Sequence, residues 1–493
     1  MAKTPQRWTV YFRHSPLLAP AAHLTFWLLC CGWPLACADW AAGAQPQPVY
    51  QFRSGRGVGD TDRVVGLLEA GGEVKEAGDD RPRHLKMSVT FNFAYDERTV
   101  HLPDAADGAV RSIRRYEQAD AVIKIEEDGF KPVLRPERRL IGAEAAGRTV
   151  TLFSPDGPLA REELDLIDIF ANSLLLDRLL PEGEVAVGQS WKLPVDLVVA
   201  LLGLDTAAES DVEASLTEVT ETVARFQLAG RVQGAVGGVS STIELKGKFR
   251  YSLPARRIDW LGLLVKEDRG ISPAKRGVDA VARLQMTVVP VEMPPALSDA
   301  ALEGKSLRPT EELLQIIQFG GQRDWSVLHD RSWYPTGEQA DLVVLRKVVR
   351  GELIAQCNIS PLPERRDATS VTLEQFQADV QQALGKSFGQ FVVAGQYAGS
   401  SGDRVFRVVV HGTVEDLPIE WRYYLVTRED GRRVGLAFTL EQKYADELAD
   451  EDKRMVDLLR FLAAETPPAD RPAGERAPRD RDARMVPPQP SHP

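Results

Sequence analysis

Between Val49 and Val291 the dominant pattern is strict alternation of apolar and polar side chains. Leu85, Met87, Val89, Phe91, Phe93 and Tyr95 alternate with Lys86, Ser88, Thr90, Asn92 and Ala94, which gives an extended segment one apolar and one polar face and predicts a half-buried strand. Val239 to Leu253 reads the same way, with Ile243, Leu245, Phe249 and Tyr251 opposite Glu244, Lys246, Lys248 and Arg250, and so does Ala280 to Val288. Strands of this kind pair into antiparallel sheets with one covered face. Two segments break the alternation. Pro158 to Leu180 places Leu164, Ile167, Phe170, Leu174 and Leu175 at helical spacing, and its polar side narrows to Asp165, Asp168 and Asn172. Pro194 to Leu204 repeats the pattern with Leu197, Leu201 and Leu204. Helices apolar around most of their circumference need burial on several sides, so the expected architecture is a curved antiparallel sheet, a half-barrel, around two apolar helices.

A Pro- and Gly-bearing stretch, Pro294 to Pro309, separates this region from another. There Trp325 to Trp333, Ala340 to Val349 and Leu353 to Ile359 read as strands. Thr372 to Leu384 reads as a helix, because Thr372 and Gln375 stand at capping-box spacing ahead of an apolar face of Leu373, Phe376, Val380 and Leu384. Strands resume over Phe391 to Gln396, Arg404 to Gly412, Ile419 to Arg428 and Arg433 to Glu441, and a helix carrying Met455, Leu458, Leu459 and Leu462 closes the region. The fold class is α+β and β-dominated. The expected organisation is a signal peptide over 1–44, the β-rich region with two apolar helices over 45–293, a linker over 294–309, an α+β region over 310–465 and a disordered Pro-rich tail over 466–493.

The signal peptide rests on a basic lead with Lys3, Arg7 and Arg13 before an apolar core from Leu24 to Ala36, followed by the small-residue sites Ala36-Cys37-Ala38 and Ala42-Gly43-Ala44. Cleavage there starts the mature chain near Asp39 or Gln45 and sends it to the periplasm or beyond the cell. Lipid attachment at Cys37 is the alternative. Its weakness is that Leu35 sits two positions before the cysteine, where the usual pattern has leucine three before. Removal of Cys30, Cys31 and Cys37 leaves Cys357 alone, so no internal disulfide is expected. A net charge of −11 disfavours nucleic acid as partner, and no second apolar run is long enough for a membrane span. The basic clusters Arg111, Arg114 and Arg115, Arg135, Arg138 and Arg139, Arg365 and Arg366, and Arg432 and Arg433 all have acidic neighbours and read as solvated, salt-bridged surface.

Across the later region, the aromatic opening of Trp325 and Trp333, the strand with Ala355-Gln356-Cys357-Asn358, the helix with Leu373-Glu374-Gln375-Phe376 and the strand Pro418-Ile419-Glu420-Trp421 together resemble the PsbP-like fold of small exported proteins. That resemblance covers about a third of the chain and implies an α/β sandwich, with no functional residues to carry over. The first region is loosely similar to secreted bacterial proteins of unknown function through Val187-Gly188-Gln189-Ser190-Trp191, and its sheet over apolar helices resembles the lipoprotein-localisation half-barrel.

Catalytic chemistry is hard to find. Cys357 lies in an apolar alternating strand and reads as an inert buried thiol. The histidines of the expected mature chain, His84, His101, His329, His411 and His492, never pair at the spacing of a zinc-binding helix face. His329-Asp330 is the single histidine followed by a carboxylate and reads as a polar loop end. Glu162, Glu163, Asp165 and Asp168 read as a solvated first helical turn, and Gly55-Arg56-Gly57-Val58-Gly59 as a loop that misses dinucleotide spacing. No catalytic, cofactor-binding or metal residue is assigned. The expected function is a non-enzymatic exported protein that binds a partner protein or an envelope component. A carrier of an apolar, lipid-like ligand is the second reading, and an envelope hydrolase the third. A sizeable apolar cavity beneath residues 164 to 204 would mark the carrier, whereas helices that simply fill the core, the favoured expectation, would leave the binder.

Overall fold

The computed structural model describes residues 47–76, 81–104, 108–271, 276–339, 341–364 and 371–462. The expected signal peptide, Cys37 and the Pro-rich tail with His492 lie outside them. Among the described residues, β-strands dominate, in sheets that are antiparallel but for one short parallel pairing and of which none closes into a barrel. The largest has thirteen strands. Its seven long ones, numbered in chain order, are β1 (Thr61–Glu76), β2 (Arg83–His101), β3 (Val110–Ile125), β4 (Val223–Val236), β5 (Val239–Ser252), β6 (Arg257–Arg269) and β7 (Gly277–Pro290). They lie side by side in the order β4-β5-β6-β7-β1-β2-β3. Every junction but one joins strands that follow each other within this set. The exception is the seam of β7 against β1, which pairs Gly277 with Lys75 and Pro290 with Asp62.

The alternation in the sequence is the alternation of faces. Leu245, Val265, Ala282, Ala70, Val89 and Ile123 stand opposite one another across β5, β6, β7, β1, β2 and β3, and the parallel row one step along is Leu263, Leu284, Leu68, Phe91 and Ala121. Side chains of these rows share one apolar cluster with α1 (Arg161–Ile167), a 3-10 helix over Ser173–Leu179 and α2 (Val195–Leu202). The sheet therefore wraps the helical layer on its inward face. In α2 every residue from Leu197 to Leu202 is buried, and Gly203 ends the helix at a φ of 65°, a left-handed conformation that glycine adopts without a Cβ clash.

Pro158 to Leu180 is not one helix. Leu159–Ala160 is a short strand, α1 stops at Ile167, Ala171 takes a φ of 57°, and Asn172 caps a separate 3-10 helix by accepting from the Leu174 amide at 3.2 Å. A buried polar knot holds the break in place. Arg114 donates to Glu97 at 2.7 Å, to Asn172 at 2.5 Å and to the Ser173 hydroxyl at 3.0 Å, while Ser112 and Ser173 donate to Glu97. Arg114 and Arg111 are thus buried, against the expectation of a solvated basic cluster. Burial opposes ionisation of Glu97, yet Arg114 and Arg56 hold its carboxyl below the usual range. Glu163 likewise departs from the expected solvated turn. It is buried, accepts from the Ala160 amide at 2.8 Å and pairs with Arg135 at 2.6 Å, which keeps it ionised in spite of burial.

The later region is a seven-stranded antiparallel sheet in the order Trp333–Gln339, Leu342–Val349, Glu352–Leu362, Arg433–Glu441, Leu417–Thr427, Arg404–Val414, Phe388–Ala398. The helix Leu373–Leu384, with the capping box of Thr372 and Gln375, covers one face through Phe376, Val380 and Leu384. Trp325, Trp333, Met455 and Leu459 cover the other. Trp325 to Trp333 is not one strand, because Trp325–His329 joins a small sheet while Trp333 starts the large one. That small sheet links the regions, since Ile316 and Ile317 pair in parallel with Leu159 and Ala160. Arg161 reinforces the link by donating to the carbonyls of Arg331 at 2.6 Å and Trp333 at 3.1 Å. Within 294–309, Leu297 and Leu302 pack on Ile113 and Leu140.

Candidate binding cavity

Most inward positions of the large sheet carry bulky side chains, among them Phe93, Phe226, Phe249 and Met286. Near the C-terminal end of α2 they do not. Ala70 and Ala282 face each other across the seam, and Gly203 offers no side chain from above. Between them opens a cavity of about 360 Å³. Its floor includes Leu68, Ala70, Val89 and Ala282, and its opposite wall includes Ile169 and Phe170, from the segment between α1 and the 3-10 helix, and Leu202 of α2. A smaller apolar pocket of about 60 Å³, with Phe91, Ile123, Phe130 and Leu166, adjoins it through the shared Leu68, Val89, Asp165 and Ile169.

Polar groups are confined to particular walls. Asp165, Asp168 and Asn172, the polar stripe of the sequence, all line the cavity, joined by Asp205 and by Arg148 from the turn before Thr149–Phe153. Arg148 also pairs with Asp196 at 2.9 Å. Asn172 is fixed by Arg114, so this part of the wall is set by the buried knot. The cavity joins an apolar floor to a charged wall, which suits an amphipathic guest. Sequence reasoning missed Ala70, Ala282, Arg148 and Asp205. The signal for the first two was small residues at inward positions of strands whose other inward positions are large.

The remaining candidates do not converge. Cys357 is buried against Phe438 and Leu345, and burial pushes its thiol well up. His84 meets Glu73 at 2.8 Å near one sheet end, and His411 meets Glu420 at 2.8 Å in the other region. His329 is buried at a strand end, not in a polar loop. Its Nδ1 lies 2.7 Å from the Asp330 carbonyl, and burial pulls its pKa down to about 4. Beside it Lys347 reaches Glu451 at 2.6 Å and the Ser332 hydroxyl at 2.9 Å, and Ser332 donates to Asp330 at 2.5 Å. This serine-lysine contact was invisible in sequence because its members are scattered. Its lysine also lies between two carboxylates, 3.5 Å from Asp330 and 2.6 Å from Glu451. Among the described residues no group of three or more His, Cys, Asp or Glu is placed to hold a metal ion, and no helix is long and apolar enough to cross a membrane.

No family model and no curated protein matches the chain. Among solved structures it is similar to cyanobacterial PsbP from Synechocystis, with 14% identity over 30% of this chain and 92% of that one and a TM-score of 0.25. A protein of unknown function from Pseudomonas aeruginosa, PA94, is similar at 10% identity over 32% and 99% of the two chains, with a TM-score of 0.21. Lipovitellin is similar at 8% identity over 54% of this chain and 29% of its own, with a TM-score of 0.28. Likenesses at this level carry no functional argument.

Proposed function

We propose that this is an exported, non-enzymatic binding protein of the bacterial envelope that carries an amphipathic, lipid-like ligand between its curved sheet and its helical layer. The observation behind this reading is the cavity of about 360 Å³ under the helices, at the lower end of the range of about 300–1,000 Å³ found for small-molecule sites. A volume of that size with one apolar floor fits a single chain rather than a multi-chain lipid. Titration with a fluorescent lipid analogue tests it. Wild type binds saturably, and Ala282→Phe, which fills the floor with an apolar side chain, loses binding while keeping its far-UV circular dichroism. Absence of saturable binding by wild type would sink the carrier reading.

A second reading, recognition of an extended peptide, has its own support. Phe388–Ala398 is an edge strand of eleven residues with no charge and no proline, and Val392 and Val393 are exposed. Natural edges usually carry such guards; this one has bulges between Phe388 and Gln390 and between Phe391 and Val393, and its remaining backbone, Val393–Ala398, suits strand addition. Val393→Lys should abolish capture of envelope proteins by cross-linking and leave lipid-probe binding intact.

A further inference from the structure

Along β6 the inward side chains run Leu261, Leu263, Val265 and then Glu267 and Arg269. The change of character is abrupt. Glu267 is 0% exposed and Arg269 3%, and Ser241, opposite Arg269 on β5, is 1% exposed. Both carboxyl oxygens of Glu267, the Nε of Arg269 and the hydroxyl of Ser241 are buried without a hydrogen-bond partner. Buried polar atoms are nearly always paired, and an orphan costs about 1–3 kcal/mol. Three neighbouring side chains with buried, unpartnered polar atoms form a place fitted to a polar guest.

Register connects this site to the cavity. Glu267 faces Ala280, which faces Gly72, and the next row holds Val265, Ala282 and Ala70. Ala282 and Ala70 are cavity floor. Glu267 stands diagonal to Ala282, at the spacing of about 7–8 Å across which long side chains still meet, and the positions between them are small. Ala280 and Gly72, which separate the cavity floor from Glu267, are small, closely packed and outside the cavity lining, so two small residues are all that stands between the floor and the buried carboxyl.

Resting on the carrier reading, we infer that Ser241, Glu267 and Arg269 receive the anionic head of the bound amphiphile, a carboxylate or phosphate, while its chain lies over Ala282 and Ala70 in the cavity. Arg269 supplies the counter-charge, and its guanidinium, the Ser241 hydroxyl and the protonated Glu267 carboxyl donate to the head. Burial pushes the Glu267 pKa up to about 8, with Asp268 adding to it and Arg269 and Lys75 opposing. The acid is thus the prevailing form at neutral pH. The other charges around it are Lys75, Asp268 and Asp279, paired on the outer face of the sheet, Glu76 with Arg83 and Arg276 at the sheet end, and Asp205 at the cavity. Ionised Glu267 repels an anion and competes with it for Arg269, so affinity for an anionic head falls as pH rises through about 8.

The test uses the full chain with dansylaminoundecanoic acid and its methyl ester, which share a chain and differ in the head. At pH 7 the acid should bind at least about tenfold tighter than the ester. Arg269→Met should erase that preference, and Ser241→Ala, a gentler change, should reduce it. From pH 7 to pH 9 acid affinity should fall about tenfold in wild type and stay level in Glu267→Gln, which keeps a neutral donor. Equal, pH-independent binding of acid and ester would overturn the inference, with water as the occupant of the polar site, and leave the carrier reading standing. Binding of neither probe would remove the carrier reading itself.

Discussion

At the scale of single residues, charge is where this chain departs most from its sequence pattern. Arg114 and Glu163 read as solvent-facing members of charge runs, yet each is buried against a partner distant in sequence, Arg114 on Glu97 and Glu163 on Arg135. Local composition holds no record of such pairings, because the partner is brought by strand register or by a loop. Glu267 went unread, although it interrupts the apolar series Leu261, Leu263 and Val265 at an inward position, whereas Cys357 was plain from its strand. Removing one member of a buried pair strands the other, so Arg114→Met should cost about 3–5 kcal/mol in urea unfolding, and Glu97→Gln added to it should recover part of the loss. His329 provides a pH signature. Its folded pKa of about 4 lies below the unfolded value of about 6.5, so between these values the unfolded chain binds more protons and stability falls as pH drops. The loss attributable to this ring approaches about 3 kcal/mol by pH 4. Unfolding curves of wild type and His329→Gln should therefore converge on acidification, and parallel curves would remove the histidine from the account.

At the scale of elements, the alternation of period two located the long strands, because a half-buried strand writes its faces directly into the sequence. The capping box at Thr372 located the helix Leu373–Leu384 to the residue. Thr372→Ala removes the hydroxyl that accepts from the Gln375 amide at 3.3 Å and should lower stability by about 1 kcal/mol, read as a shifted midpoint with an unchanged denaturant slope. The segment Pro158 to Leu180 was misread for an identifiable reason. Its apolar spacing fits a continuous helix, but the break at Ala171 is decided by the Arg114 donors to Asn172 and Ser173, which lie on another element. The same break turns the polar stripe Asp165, Asp168 and Asn172 toward the cavity, so the stripe was legible in sequence and its role was not.

At the scale of the whole molecule, the order of a curved sheet around apolar helices and then a sheet with covering helices was legible from periodicity, whereas the joint between them was not. That joint includes two residues of parallel pairing, the Arg161 guanidinium, which also stacks on the Tyr334 ring at 4.6 Å, and Arg331 donating to the Leu152 carbonyl at 2.7 Å. Pairing so short has no pattern to read. Arg161→Ala should uncouple the regions, and a calorimetric trace with one unfolding transition in wild type should split into two. A single unshifted transition would show that the joint carries no coupling.

The seam of β7 against β1 has a consequence in time. Its partners are about 200 residues apart in the chain, while every other junction among the long strands is between successive ones. Strands β1 to β3 and β4 to β7 can each zip up as meanders soon after they emerge, but the central pairing waits for nearly 300 residues of chain. Non-local pairings of this kind form slowly. Until the seam closes, two long unpaired strand borders face the surroundings, the condition under which nascent β-proteins aggregate. The expected slow step of folding is therefore the closing of the sheet at its middle, and a holdase that shields those two borders during refolding should raise the yield of native protein.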